Sequence, residues 1–226
     1  MSVALSEACR HAILEQGSRL DQEEVRMSAS ALGLTGKHDL RDIADRLLES
    51  ERVEYVHEGE LIFVPPAGFP HLTIVEALID QFGEAKYSGL TPIRWQVSPE
   101  HLQWEYRDGS RRFFIPDLAV AYPGATNRHE LQDNVVLIVE ITSPDSPDTV
   151  ANDFGVKPKL YARNGVPLYL LVDQDRSEWI LHSLIKDEPR YEVHSIGAYG
   201  KQIVLPEPFG FSIETAEWPP YVPEPQ

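Results

Sequence analysis

Apolar residues change their spacing along the 226-residue chain, and each change marks a different kind of element. Leu40, Ile43, Ala44, Leu47 and Leu48 fall three and four apart, which predicts an amphipathic helix with Asp39 as its cap. Gly33 and Gly36 separate it from an earlier helical segment over residues 5–16 and a less regular one over 23–32. No strand signal precedes Val53. From there the pattern shortens to alternation around His57-Glu58-Gly59, predicting a hairpin of 53–56 with 61–64. Leu72, Val75, Leu78, Ile79 and Phe82 return to helical spacing after the Pro65-Pro66 break. Short strands are then predicted over 93–97, 102–106, 112–115, 118–121 and 135–141, and a helix over 150–163 that stops at Asn164-Gly165. VPLYLLVD reads as a further buried strand, and 179–184 with 191–194 as a closing hairpin.

This order predicts a mixed α/β or α+β fold, with a central sheet flanked by helices and a helical N-terminal extension. The division expected is 1–50 for the extension, 51–215 for the main domain and 216–226 for a Pro-rich tail that is extended or loose.

Composition narrows the class. With 42% hydrophobic and 25% charged residues the chain is globular, and no apolar run approaches membrane-spanning length. MSVALSEACRHAILEQG shows no basic segment followed by an apolar one, so no secretory leader is expected. The single Cys9 offers no internal disulfide. A cytoplasmic protein with no membrane partner is the expectation. The net charge of −16 argues against non-specific nucleic-acid binding, which draws its affinity from a basic footprint. Basic residues cluster only at Arg111-Arg112 and Lys157/Lys159, although a local groove is compatible with overall acidity.

Two carboxylates stand where core should continue. Glu140 follows the five apolar residues 135–139 and precedes Ile141; Asp117 lies between Phe113-Phe114-Ile115 and Leu118-Ala119-Val120. A charge in such a strand is costly unless it is paired or coordinates a metal. If the strands are neighbours, the two carboxylates and the Ile141 carbonyl make a hard oxygen site suited to Mg²⁺ or Mn²⁺. The competing reading has each carboxylate capping a helix or pairing with an arginine such as Arg112 or Arg163.

Pro116-Asp117, then LIVEITSP at 137–144, then Asp153, Lys157 and Tyr161 leading into YARNGVPLYLLVD, form a series that resembles the PD-(D/E)XK nuclease superfamily. Within it the series is most similar to the bacterial Uma-type restriction endonuclease family. Gly59-Glu60, Pro65-Pro66 and His71 match that family's hairpin, loop and helix start, and the resemblance covers residues 53–185. It implies a restriction-endonuclease-like fold and metal-dependent hydrolysis of DNA, with Asp117 and Glu140 as metal ligands. Two positions depart from the pattern. The superfamily's lysine two residues after the glutamate is Thr142 here, and the resemblance implies that Lys157, from the following helix, takes its role of orienting water or neutralising the transition state. Leu168 stands where the family commonly has Glu, and reads as strand packing.

Asp153, Lys157 and Tyr161 share one helical face, yet Pro158 threatens the helix and leaves Lys159 as a competitor, about 200° around from Lys157. Lys157 is favoured. His71 is either a phosphate or ligand contact or a helix-start partner for backbone. Tyr161 is core with a satisfied hydroxyl, or a hydrogen-bond donor to a site carboxylate. Glu76 reads as solvated, and Trp95 and Trp104 as base-stacking or sheet-packing residues. HDLRD at 38–42 is a solvated helix face. Two functions remain, a metal-dependent deoxyribonuclease and a non-catalytic interaction or regulatory protein on a nuclease-like fold. A glycosidase lacks any sugar-binding aromatic arrangement. The oligomeric state stays open; the resemblance points to a homodimer, since cutting a duplex takes two sites.

Overall fold

The computed structural model describes residues 25–28, 53–57, 60–63, 68–89, 96–98, 114–125, 128–145 and 147–222. The chain forms two compact units, one of residues 1–66 with 108–114, the other of 67–107 with 115–226.

In the first unit, β1 (Val25–Ser28), β2 (Val53–His57) and β3 (Glu60–Phe63) make an antiparallel sheet in the order β1-β3-β2. The β2–β3 hairpin follows the alternation in the sequence, with a register shift between Tyr55 and His57. β1 corrects the reading of 23–32 as helical and of the chain before Val53 as strandless. Its four residues alternate apolar and polar and find their partners on β3, pairing Val25 with Phe63, so a distant ladder overrides a weak local preference. The predicted helices over 5–16 and 39–48 lie outside the described residues, as does the predicted strand 102–106.

The second unit is built on a six-stranded mixed sheet in the order β4-β5-β6-β7-β8-β9. These strands are β4 (Gln96–Ser98), β5 (Leu118–Ala121), β6 (Val135–Ile141), β7 (Leu168–Asp173), β8 (Glu178–Leu184) and β9 (Tyr191–Ala198). Only β6 and β7 run parallel; every other neighbouring pair is antiparallel. This is the mixed α+β sheet that the sequence implies. Every residue of β5, β6 and β7 is buried, which is why these strands read as unbroken apolar runs rather than alternation.

Two helices cover the sheet. In α1 (Phe69–Ser88), Ile74, Leu78 and Phe82 are buried on one stripe. They share a core with Leu137, Val139 and Ile141 of β6 and Leu168, Leu170 and Val172 of β7. Gly89, with φ of 75°, ends the helix in the left-handed conformation. The alternate β6 position, Glu140, is met by α3 (Pro147–Arg163), which joins β6 to β7 and therefore lies on the opposite face. Pro147 opens α3 at the first helical position, where proline is favoured. Pro158 sits inside α3 without ending it. The hydrogen bond it removes belonged to the Phe154 carbonyl, at a residue that is itself exposed, so water can replace the lost donor.

Some predicted elements differ. Of the predicted 93–97 strand, Gln96 and Val97 lie in β4 and 93–95 lie outside the described residues; of the predicted 112–115 strand, only Phe114 and Ile115 are described, and they lead into β5 without strand structure. The seven-residue helix α2 (Arg128–Asn134) and the two-residue strands β10 (Ile203–Val204) and β11 (Ser212–Ile213) carry too few residues for a periodic signal. The described part of the Pro-rich tail, residues 216–222, packs onto the domain. Trp218 is buried against Tyr199, with ring centroids 5.3 Å apart, and the Tyr221 hydroxyl donates to Asp145. No helix among the described residues is long and apolar enough to cross a membrane.

Candidate active site

Glu140 occupies a strand whose apolar neighbours each stabilise the fold by about 1.5–3 kcal/mol on burial. At 1% exposure its carboxylate needs partners of its own, and α3 brings them. Lys157 Nζ lies 2.9 Å from Glu140 Oε2, and the Tyr161 hydroxyl donates to Oε1 at 2.5 Å. Lys157 also lies 2.8 Å from Asp153 Oδ1, one helical turn earlier. Asp153, Lys157 and Tyr161 thus act from one helix face, as their spacing requires. All three are buried, whereas Lys159 is exposed on the other side of α3.

Asp117 sits at the end of the β5–β6 ladder. The register ends with Leu118 opposite Val139, and Asp117 precedes it as a bend, outside the ladder. Its carboxylate takes over the ladder, with Oδ2 accepting the Ile141 backbone N–H at 2.8 Å. On the other oxygen, His71 Nε2 from the first turn of α1 lies 3.1 Å from Oδ1. The two acids are therefore approached from opposite faces, Asp117 by α1 and Glu140 by α3.

The ends of β6 and β7 are locked by Thr142, the residue that stands where the superfamily motif carries lysine. Its N–H donates to the Val172 carbonyl at 2.9 Å, and its hydroxyl accepts the Gln174 N–H at 3.0 Å. Under the site, the Tyr169 hydroxyl donates to the Asp153 carbonyl at 2.7 Å. Burial, reinforced by the charges of Asp153 and Glu140, holds that phenol well above its ordinary pKa, so it remains a donor.

Sequence reasoning raised Tyr161 as a donor to a site carboxylate without naming which one, and His71 without its partner. It missed the Thr142–Gln174 clamp and the support from Tyr169. The latter shares the β7 face with Leu171, and only the parallel register, pairing Glu140 with Leu171, brings that face beside Glu140. Glu76 is exposed on α1. Trp95, Trp104 and Arg112 lie outside the described residues.

A hard divalent cation would draw on oxygen donors here. Asp117, at the entry to β5, and Glu140, on β6, would each supply carboxylate oxygens, and Ile141 points its N–H, and with it its carbonyl, toward the Asp117 side of β6. Among the described residues no group of three or more His, Cys, Asp or Glu side chains is arranged to hold a metal. Two carboxylates completed by a carbonyl, water and a substrate phosphate are the usual provision for Mg²⁺.

No curated protein matches this chain closely enough to count as a relative. Among solved structures, it is similar to one described as a putative nuclease belonging to DUF820 from Anabaena variabilis. That match has 17% identity, covers 74% of this chain and 89% of the other, and has a TM-score of 0.49. The Uma2 family model, described as "Putative restriction endonuclease", matches residues 40–216, a span that includes every site residue named above. The chain belongs to the Uma2 family.

Proposed function

We propose that the chain is a divalent-metal-dependent endonuclease that hydrolyses DNA phosphodiester bonds. One observation carries the reading: Lys157 reaches Glu140 from α3, at 2.9 Å, and restores an acid–acid–lysine set that Thr142 cannot complete. In this reading Asp117, Glu140 and the Ile141 carbonyl hold Mg²⁺ or Mn²⁺. When bound, such an ion polarises a phosphoryl oxygen and makes a bound water more acidic. Lys157 offsets charge developing on the phosphoryl group or orients the attacking water, and Asp153 keeps its ammonium at the site. Tyr161 fixes the carboxylate plane of Glu140. A homodimer accounts for cutting both strands of a duplex.

The test is cleavage of supercoiled, linear and single-stranded DNA at low salt with Mg²⁺ or Mn²⁺. Cleavage is expected to be abolished in Asp117→Ala and Glu140→Ala, and reduced about 10²–10³-fold in Lys157→Ala. A folded protein that binds no Mn²⁺ and cuts none of these substrates refutes the proposal.

The net charge of −16 favours a second reading, a non-catalytic interaction or regulatory protein on the same scaffold. Its signature is intact metal binding with no cleavage on any DNA, together with unchanged partner binding in Lys157→Ala.

A further inference from the structure

His71 is buried at 5% exposure, and its two ring nitrogens are treated unequally. Nε2 faces Asp117 Oδ1 at 3.1 Å, while Nδ1 is buried with no hydrogen-bond partner among the described residues. A carboxylate oxygen only accepts, so Nε2 carries the hydrogen of that contact. A ring placed for packing alone is better replaced by an apolar side chain, because an unmatched buried polar atom is destabilising. The placement therefore serves Asp117 rather than the ring.

The backbone around it is built to hold that position. α1 starts at an extended Gly68 with Pro70 in its first turn, and the Leu72 N–H bonds the Gly68 carbonyl at 3.2 Å. Ile74 and Leu78, each 0% exposed, pin the next turns to the sheet. The Ile141 N–H holds the other Asp117 oxygen from β6. Contacts from two rigid elements, α1 at one oxygen and β6 at the other, thus resist rotation of the carboxylate.

We infer that His71 is the positioning residue for Asp117, fixing the plane in which that carboxylate meets a divalent cation without touching the ion itself. The inference rests on the proposed metal reading of Asp117 and Glu140. Hydrogen-bond partners of metal ligands typically govern affinity by 10–100-fold, because a ligand free to rotate must be ordered when the ion binds.

The experiment is calorimetric titration of the full chain with Mn²⁺ alone, with no DNA and no turnover, on wild type, His71→Leu, His71→Gln and Asp117→Ala. His71→Leu removes the donor, and affinity is expected to fall about 10–100-fold. The Gln side-chain amide reaches about as far as Nε2, so His71→Gln is expected to restore most of the affinity. If His71→Leu does not fold, as judged by near-ultraviolet circular dichroism, His71→Asn, whose amide stops short of Asp117, takes its place.

Unchanged affinity in His71→Leu, with binding abolished in Asp117→Ala, overturns the positioning role and leaves the metal site standing. Equal loss in His71→Gln and His71→Leu also overturns it, since the ring and not the donor would then matter. No Mn²⁺ binding by wild type, or binding that survives in Asp117→Ala, refutes the metal reading and this inference with it.

Discussion

Replacing Lys157 by Met tests the centre of the site through stability alone. Met keeps most of the lysine stem, so the change removes an ammonium and little volume. That ammonium lies 2.9 Å from Glu140 and 2.8 Å from Asp153, and the exposures of Lys157, Glu140 and Asp153 are 3%, 1% and 1%. Water cannot readily take its place, and breaking a buried pair by removing one partner costs about 3–5 kcal/mol. For a chain of this size each kcal/mol moves the melting temperature by about 2–4 °C, so a drop of about 6–20 °C is expected. Calorimetric melting at neutral pH reads it directly. The cause can be separated from a packing defect by adding Glu140→Gln and Asp153→Asn to Lys157→Met. The neutral triple variant is expected to regain most of the loss, because no carboxylate then remains buried without its counter-charge. A loss below about 1 kcal/mol in Lys157→Met, the range of an exposed ion pair, would falsify the description of this triad as a desolvated unit.

Two further predictions concern the body of the second unit. A Cβ at Gly197 on β9 would lie 2.5 Å from Cζ2 of Trp179, whose indole N–H is held by the Lys201 carbonyl at 3.2 Å. Gly197→Ala is thus expected to cost about 1–3 kcal/mol through overpacking, with a shift in tryptophan emission. Gly83→Ala, with nothing within 4 Å inside α1, is expected to gain about 0.5–1 kcal/mol. Equal melting temperatures for the two variants would contradict the close approach of β9 to β8. His182 packs on Tyr169 with centroids 5.6 Å apart, and burial lowers its pKa below the ordinary 6.5. Between its folded value and 6.5 the unfolded chain binds more protons, so the stability this neutral ring contributes is complete above pH 6.5 and declines as pH falls. Denaturant unfolding of wild type and His182→Phe across this range is expected to show a steeper acid decline in wild type, and parallel curves would rule the linkage out.

The central strands were legible because burial on both faces removes alternation, leaving Val135 to Val139 as a continuous apolar run. The same continuity made Glu140 conspicuous, since a charge stands out only against an unbroken background. α1 was legible from its stripe. β1 was not, because VRMS acquires its strand identity from β3, more than thirty residues later, and four residues carry no period of their own. The partners within the site were hidden for a related reason. Asp117 and His71 lie 46 residues apart, and their contact exists only once α1 is seated on the sheet by Ile74 and Leu78. Spacing placed Asp153, Lys157 and Tyr161 on one face but could not say what that face meets.

Pro158 shows how far a local rule reaches. Taken alone it predicts that α3 restarts or kinks, and either outcome would rotate Tyr161 away from the face that carries Lys157. Yet both residues contact the same carboxylate, Lys157 on Oε2 and Tyr161 on Oε1. Two side chains one turn apart can hold the two oxygens of one glutamate only if the helix between them keeps its pitch. The site thus requires continuity where local propensity opposes it. The stabilisation lost at Pro158 is recovered through tertiary contacts, with Leu160 and Tyr161 fully buried immediately beyond it. Beyond Glu140, Thr142 bonds the end of β7, its N–H to the Val172 carbonyl and its hydroxyl to the Gln174 N–H, so the strand end next to the Lys157 contact is closed by a threonine.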